Sequence, residues 1–358
     1  GPMRDRLLRW RWELFLSAIL VAVFLVNISL SPFYLGEQNF VNMFQLSIEK
    51  LIVVVVMTFV IINGEIDLSV ASVMAFSAGV LAGLHDAGGV PFEVAVLIAI
   101  LAGTAAGLLQ GSFVAFMGLP SLVVTLAGLI GFRGAGRIIV EDNAIGDFPE
   151  WFDRIGQDPL VGRVSLAFVL FLVAIVVAGI ILHKTAFGRG VYVIGNNANV
   201  ARYSGINVAR DKLIIMTASG TVAGIAGVLF AARLGTIRGD LATGFELDII
   251  TMVLLGGVSI FGGSGTIVGV ALAILIVLNI RNGMGLANYD QNTQRGVIGA
   301  LLILSVLVPN LVGRLAARRR VPGPGQGSPP AASGRHKGGD TPATGTGSAS
   351  CTKLREEN

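Results

Sequence analysis

Unbroken apolar runs recur along the chain, at roughly 14–30, 46–62, 68–84, 92–114, 121–136, 165–182, 213–232, 247–261, 266–281 and 296–312. Alternation at every second residue would mark strands; long continuous runs mark helices. Inside a bilayer only helices and closed barrels satisfy every backbone N–H and C=O. The pattern therefore predicts an all-α polytopic membrane protein with about ten transmembrane helices. Several runs are shorter than the ~20 residues that cross hydrocarbon comfortably. The runs 247–261 and 266–281, parted only by Gly262-Gly263-Ser264-Gly265, read as half-helices that meet inside the protein.

Composition agrees. Of the 358 residues 53% are apolar and 13% charged, about half the usual charged share of roughly 25%. A cytosolic enzyme, a nucleic-acid binder and a disulfide-stapled secreted domain are excluded. The single cysteine, Cys351, offers neither a disulfide framework nor a thiolate metal cage. Gly1-Pro2 before Met3 reads as a cleavage scar, and 1–13 as a cytoplasmic N-terminus. Residues 14–312 form the membrane domain. The 313–358 segment is a basic end followed, from 321, by a stretch rich in Pro, Gly, Ser and Thr that reads as a disordered cytoplasmic tail.

Lys and Arg set the orientation. With ten spans both ends share a side with the 183–212 loop, and that side collects thirteen basic residues against eight opposite. Both termini are expected in the cytoplasm. Gly occurs 48 times, and small residues four apart let helix backbones approach closely. The pattern Gly103-Thr104-Ala105-Ala106-Gly107 recurs at Gly220–Gly224 and Gly265–Gly269. It is open at this stage to helix packing or to a duplicated five-helix bundle.

No G-x-x-x-x-G-K-[ST] phosphate loop, zinc-ligand spacing or G-x-S-x-G elbow occurs, so the chain is read as no enzyme and as holding no metal. Three segments carry information instead. Asn63-Gly64-Glu65-Ile66-Asp67-Leu68-Ser69 puts acids at the membrane edge, where they are costly; Asp67 or Ser69 is expected to cap the third span. In the 183–212 loop, Asn197 or Asn199 is expected to cap a short helix that Gly205 ends, with Arg202 and Tyr203 as interface anchors. Third comes Gly244-Phe245-Glu246-Leu247-Asp248, followed by Gly256-Gly257 and the 262–265 turn.

At these places the sequence resembles the permease subunits of bacterial ABC importers for monosaccharides, the ribose, xylose, arabinose, rhamnose and autoinducer-two group. That family's G-G-I-D-L-S-V-G-S is similar to Gly64–Ser72. Its F-G-R and G-x-N-x-x-A-A-R-x-S-G-I resemble Phe187–Arg189 and Gly195–Ile206, and its G-x-E-L-D-x-I resembles Gly244–Ile250. Asn282-Gly283-Met284 also fits. Glu65 and Ala71 stand where the family usually has Gly, and Asn199-Val200 replaces a commoner acidic-Ala pair.

The resemblance, over about 12–312, implies the ABC importer permease fold in a bacterial inner membrane. It implies translocation of a simple sugar, such as a pentose or deoxyhexose. Implied partners are a second permease chain, identical or a sister, a cytoplasmic ABC ATPase, an extracytoplasmic sugar-binding protein and membrane lipid, with no nucleic acid. No cofactor is expected in this chain; ATP and magnesium would sit on the ATPase. The coupling loop would comprise Gly188, Arg189, Gly195, Asn196, Asn199, Ala201, Arg202, Tyr203, Ser204 and Gly205. Pathway or gating candidates are Glu65, Asp67, Ser69, Glu246, Asp248 and Asn282. A secondary transporter or channel, or a permease for branched-chain amino acids or nucleosides, are the alternatives.

Overall fold

The computed structural model describes residues 11–318 except Asp142. The expected disordered tail and the proposed scar lie outside the described residues. Contacts divide the chain into a compact unit ending at Gly313 and a second beginning at Arg314, of which residues 314–318 are described and helical.

In chain order the helices are α1 (Arg11–Leu30), α2 (Glu37–Gln45), α3 (Ile48–Ile62), α4 (Val70–Ala87), α5 (Phe92–Phe116), α6 (Ser121–Val140), α7 (Glu150–Gln157), α8 (Leu166–Lys184), α9 (Ala186–Asn196), α10 (Ala198–Tyr203), α11 (Val208–Leu234), α12 (Phe245–Leu255), α13 (Ile267–Leu286) and α14 (Gln291–Arg318). Short strands β1 (Ile145–Gly146), β2 (Pro159–Val161), β3 (Val164–Ser165) and β4 (Thr236–Ile237) form two antiparallel pairs, β1 with β4 and β2 with β3. The protein is a multi-pass helical membrane protein.

All ten apolar runs are helical. Among the described residues seven helices, against the ten expected, are long and apolar enough to cross a membrane unaided: α1, α4, α5, α6, α8, α11 and α13. The run 46–62 is different. Its helix α3 has only 15 residues, meets α2 at a 55° bend, and is buried along its whole length. It needs no lipid-spanning length because protein surrounds it. The run 247–261 ends as a helix at Leu255, after 11 residues, where Gly256 and the left-handed Gly257 (φ 85°) turn the chain. Its partner does not match the half-helix expectation: α13 is a full 20 residues. One half-helix, not two, flanks the turn.

Buried α3, α4 and α11 form the middle of the bundle, while α1, α6 and α8 turn large apolar side chains such as Leu25, Ile130 and Val176 outward. The closest packing is between α5 and α11, where two copies of the glycine pattern face each other. A Cβ on Gly103 would lie 2.7 Å from the Gly220 carbonyl oxygen, and one on Gly107 2.5 Å from that of Met216. Thr104 and Thr221 hydroxyls meet at 2.9 Å between them. For these two copies the recurrence is close packing. The third copy serves another purpose, since Thr266 caps α13 by accepting the Gly269 N–H at 3.0 Å.

The 141–165 connection is also built. Aromatic rings of Phe92, Phe148, Trp151 and Phe152 pack edge to face, and Gly156 lies against the backbone of Ala232 and Arg233 at the end of α11.

The α5–α11 seam yields a stability prediction. In Gly220→Val the new Cβ would meet the Gly103 carbonyl oxygen and the Gly107 Cα. Overpacking of this kind costs about 1–3 kcal/mol or more. We expect a lowered thermal midpoint and folded yield in detergent. Gly131→Ala, where a Cβ meets nothing within 4 Å, should match the parent.

Candidate functional site

The segment after α3, the 183–212 loop and the 262–265 turn, distant in sequence, meet at one end of the bundle. The Ile62 carbonyl oxygen, at the last residue of α3, accepts the Gly263 N–H at 2.8 Å. Gly195, near the end of α9, lies against the same oxygen so closely that a Cβ would collide with it. Gly64 (φ 83°) and Gly262 (φ 81°) complete the contact; a Cβ on Gly262 would come within 2.8 Å of Gly64 Cα and 2.9 Å of the Gly195 oxygen. Positive φ and the lack of side chains are both needed here. Tyr192 on α9 adds a tie by donating its hydroxyl to the Gly265 carbonyl at 2.7 Å. Burial pushes that phenol up to about 12, so it stays protonated and able to donate.

The coupling-loop candidates hang from this junction. Gly188 is buried where α8 turns into α9, with the carbonyls of Ile181 and Leu182 against it. Thr185 caps α9 by accepting the Gly188 N–H at 3.1 Å. Asn197, rather than Asn199, caps α10; its Oδ1 accepts the N–H groups of Asn199 at 2.9 Å and Val200 at 3.2 Å. At the other end Gly205 (φ 81°) closes a Schellman turn, with the Ile206 N–H on the Ala201 carbonyl and the Gly205 N–H on that of Arg202. Ala201, fully buried, packs with Ile194 and Val208 and holds α10 to its neighbours. Outward it presents Val200, Arg202 and Tyr203, the last 93% exposed. Arg189, Asn196, Asn199 and Ser204 are exposed too. Among the described residues neither Arg189 nor Arg202 has an ion-pair partner. A rigid, doubly capped helix with an exposed Arg-Tyr face is the kind of surface another protein grips.

The six gating candidates do not form one site. Glu65, Asp67 and Ser69 lie at this junction. Glu65, buried, forms an ion pair with Lys212 of α11. Asp67 takes no cation. Its Oδ1 accepts the Ser69 N–H at 2.9 Å and the Ser69 hydroxyl at 2.6 Å, and its Oδ2 accepts the Ser219 hydroxyl at 2.8 Å. It therefore holds Ser69, the residue before α4, without bonding an N–H of the helix itself, so the expected cap is not made, and it links this start of α4 to α11. The Ser69 side chain makes no capping bond; it sits between Asp67 and Gln110 of α5. Asn63 is buried, and among the described residues its amide has no hydrogen-bond partner.

Glu246, Asp248 and Asn282 lie at the opposite end, in a buried charge network. Glu246 faces Arg133 at 3.4 Å. Asp248 takes Lys50 at 3.4 Å and Arg281 at 2.5 Å. Beside them Arg233 holds Glu49 at 2.6 Å, and Lys50 lies 4.5 Å from the Phe245 ring centre. Asn282 and Asn39 exchange amide hydrogen bonds at 2.8 and 2.9 Å. Glu49, Lys50, Arg133, Arg233 and Arg281 are absent from the sequence-derived set. The three arginines read as flanking charges in a count of Lys and Arg; here they point inward to acids. Another unanticipated group is Glu13, buried against the Thr266 hydroxyl at 2.9 Å.

Asp67 gives a prediction. In Asp67→Asn the Oδ1 still accepts the Ser69 N–H, and the Ser219 hydroxyl turns to accept the new amide. Folded yield and thermal midpoint should stay near those of the parent. Asp67→Ala leaves two buried donors unpaired, at about 1–3 kcal/mol each, and should lower both. A severe loss in Asp67→Asn alone would show that the charge itself matters.

No solved structure matches the chain. The family described as "Branched-chain amino acid transport system / permease component" matches residues 39–306. Similar proteins include three named autoinducer 2 import system permease protein LsrD. That of Yersinia pseudotuberculosis serotype O:3 is 34% identical over 307 residues, 84% of this chain and 91% of its own. That of Yersinia enterocolitica serotype O:8 is 32% identical over 309 residues, 84% and 92% of the two chains. That of Photorhabdus luminescens is 30% identical over 309 residues, 84% and 91%. A match this long, on a multi-pass helical body, makes the chain a transport permease and a member of the branched-chain amino acid transport system permease family.

Proposed function

We propose that this chain is the membrane-spanning subunit of an ATP-driven ABC importer for a simple sugar or sugar-like solute, a pentose, deoxyhexose or the like. A soluble binding protein delivers the solute to the outer face. A second permease chain completes the pathway, and separate ATPase subunits, with their ATP and magnesium, dock on the 183–212 loop. Both termini and that loop are cytoplasmic, in a bacterial inner membrane. The observation that carries the reading is the doubly capped α10, with Arg202 and Tyr203 exposed, on a loop locked by backbone contact to α3 and to the turn after α12. A force applied to α10 reaches two interrupted spans without passing through a flexible linker. The relatives named for autoinducer 2 import support a small hydroxylated solute over an amino acid.

ATP binding elsewhere would act by favouring one of two arrangements of the bundle, a coupling free energy between two sites. The permease contributes binding surfaces and movement, and no bond of the solute is made or broken.

Vesicles carrying the chain with its ATPase and binding protein should accumulate labelled pentose or related sugar only when ATP is supplied on the loop side. Flux driven by an ion gradient without the ATPase would refute the proposal. In the same vesicles Arg202→Glu should cut uptake at least tenfold while the permease remains folded.

The Glu65–Lys212 pair lies between the loop and the start of α4. Breaking a buried pair by removing one partner costs about 3–5 kcal/mol. Glu65→Lys or Lys212→Glu alone should reduce uptake and thermal stability. The double exchange should restore a substantial part of both. Equal defects in single and double variants would show that the pair is not the connection.

A further inference from the structure

At the end opposite the 183–212 loop, α12, α13 and the start of α14 enclose a cavity of about 150 Å³. That is about ten times the ~10–15 Å³ that houses one water by the same measure. Its walls are mixed. Asp248, Arg281, Gln291 and Arg295 supply polar groups, and Phe245 and Ile298 supply apolar surface. The Arg281 Nε is buried with no hydrogen-bond partner among the described residues, although its Nη2 holds Asp248. Arg295 is exposed at the rim and has no ion-pair partner among them. The cavity therefore has donors to spare and a carboxylate whose remaining lone pairs can accept.

We propose that this cavity is a binding subsite for a neutral monosaccharide-sized polyol. A hydroxyl group both donates and accepts. A carboxylate set beside a guanidinium fork offers it both partners at once, and charged partners strengthen those bonds. Apolar walls suit the C–H faces of the same molecule. A cation would meet Arg281 and Arg295; Asp248 is already held by Lys50 and Arg281, so an anion could pair only at the rim with Arg295, and an anionic sugar acid is the discriminating probe. The site presupposes the importer reading and refines it, placing a resting position for the solute on the side where a binding protein would release it.

The test uses the full chain in lipid nanodiscs. Thermal unfolding is followed while D-ribose, D-xylose, L-rhamnose or D-glucose is titrated, with D-gluconate as the anionic probe. At least one neutral sugar should raise the unfolding midpoint in a saturable way. Gly299 lines the cavity, and a Cβ there meets nothing within 4 Å. Gly299→Trp should therefore fill the space without a backbone clash and abolish the protection. Arg295→Ala removes an exposed side chain and should weaken the half-protecting concentration about tenfold, the effect of one lost charge-assisted hydrogen bond. Ala300→Trp, on the same helix but outside the lining, should leave protection intact. The assignment is overturned by no protection from any neutral sugar, by protection from gluconate alone, or by unchanged protection in both Gly299→Trp and Arg295→Ala. ATP-driven uptake by the parent, read separately, distinguishes the two levels. Uptake without protection defeats the subsite alone, and absence of uptake with protection retained defeats the importer reading alone.

Discussion

The Ile62 carbonyl oxygen is the point on which the loop end of the bundle is assembled. It ends α3, accepts the Gly263 amide, and lies under Gly195 at a distance that no side chain would permit. A carbonyl at a helix end has no partner within its own helix, and buried without one it would be costly. Here the partner comes from the turn after α12, and the 183–212 loop is pressed onto both. Three segments lying far apart in sequence are thereby fixed through backbone atoms rather than through adaptable side chains. Backbone contacts of this kind do not stretch. They transmit displacement or they break.

The opposite end is held by charge instead of by close backbone approach. Glu49, Lys50, Glu246 and Asp248 are buried, and each has an opposite charge in reach. Burying them unpaired would be prohibitive, and paired they add little net stability over apolar replacements. Their value is directional: α3, α6, α11, α12 and α13 must arrive in one register for all the pairs to close. The loop end and the opposite end are therefore held by different means, backbone contact in one place and buried ion pairs in the other.

How far the sequence disclosed this depends on the range of the interaction. Local rules were legible. Each of the ten apolar runs coincides with a helix, Asn197 or Asn199 and Gly205 bracketed α10, and the short 247–261 run announced an interrupted span. Where a long-range partner decides, local pattern failed. The six residues grouped as gating candidates divide between two ends, because residues such as Lys50 and Asp248 are joined across 198 positions with no periodic signal. Arg133, Arg233 and Arg281 mislead for a similar reason. A count of basic residues treats them as topology markers, and only the packed helices reveal the acids they face. The full helical length of α13 was hidden by Gly265 and Gly269. In the fold these serve its cap and a tight contact with the Gly256 carbonyl rather than a break.

One helix joins both ends. α11 has 27 residues, about 40 Å at 1.5 Å per residue. At its start Lys212 meets Glu65; within its first half Ser219 meets Asp67; next Gly220 meets α5 with no side chain between; and at its end Arg233 meets Glu49. It follows α10 directly, after Asn207, whose side chain caps it by accepting the Arg210 N–H at 3.0 Å. The glycine seam then holds α11 against α5 without side chains between them. The glycine seam, the capped start and the terminal ion pair thus form one mechanical connection, and it runs from the loop that would meet the ATPase to the end beside the proposed sugar cavity.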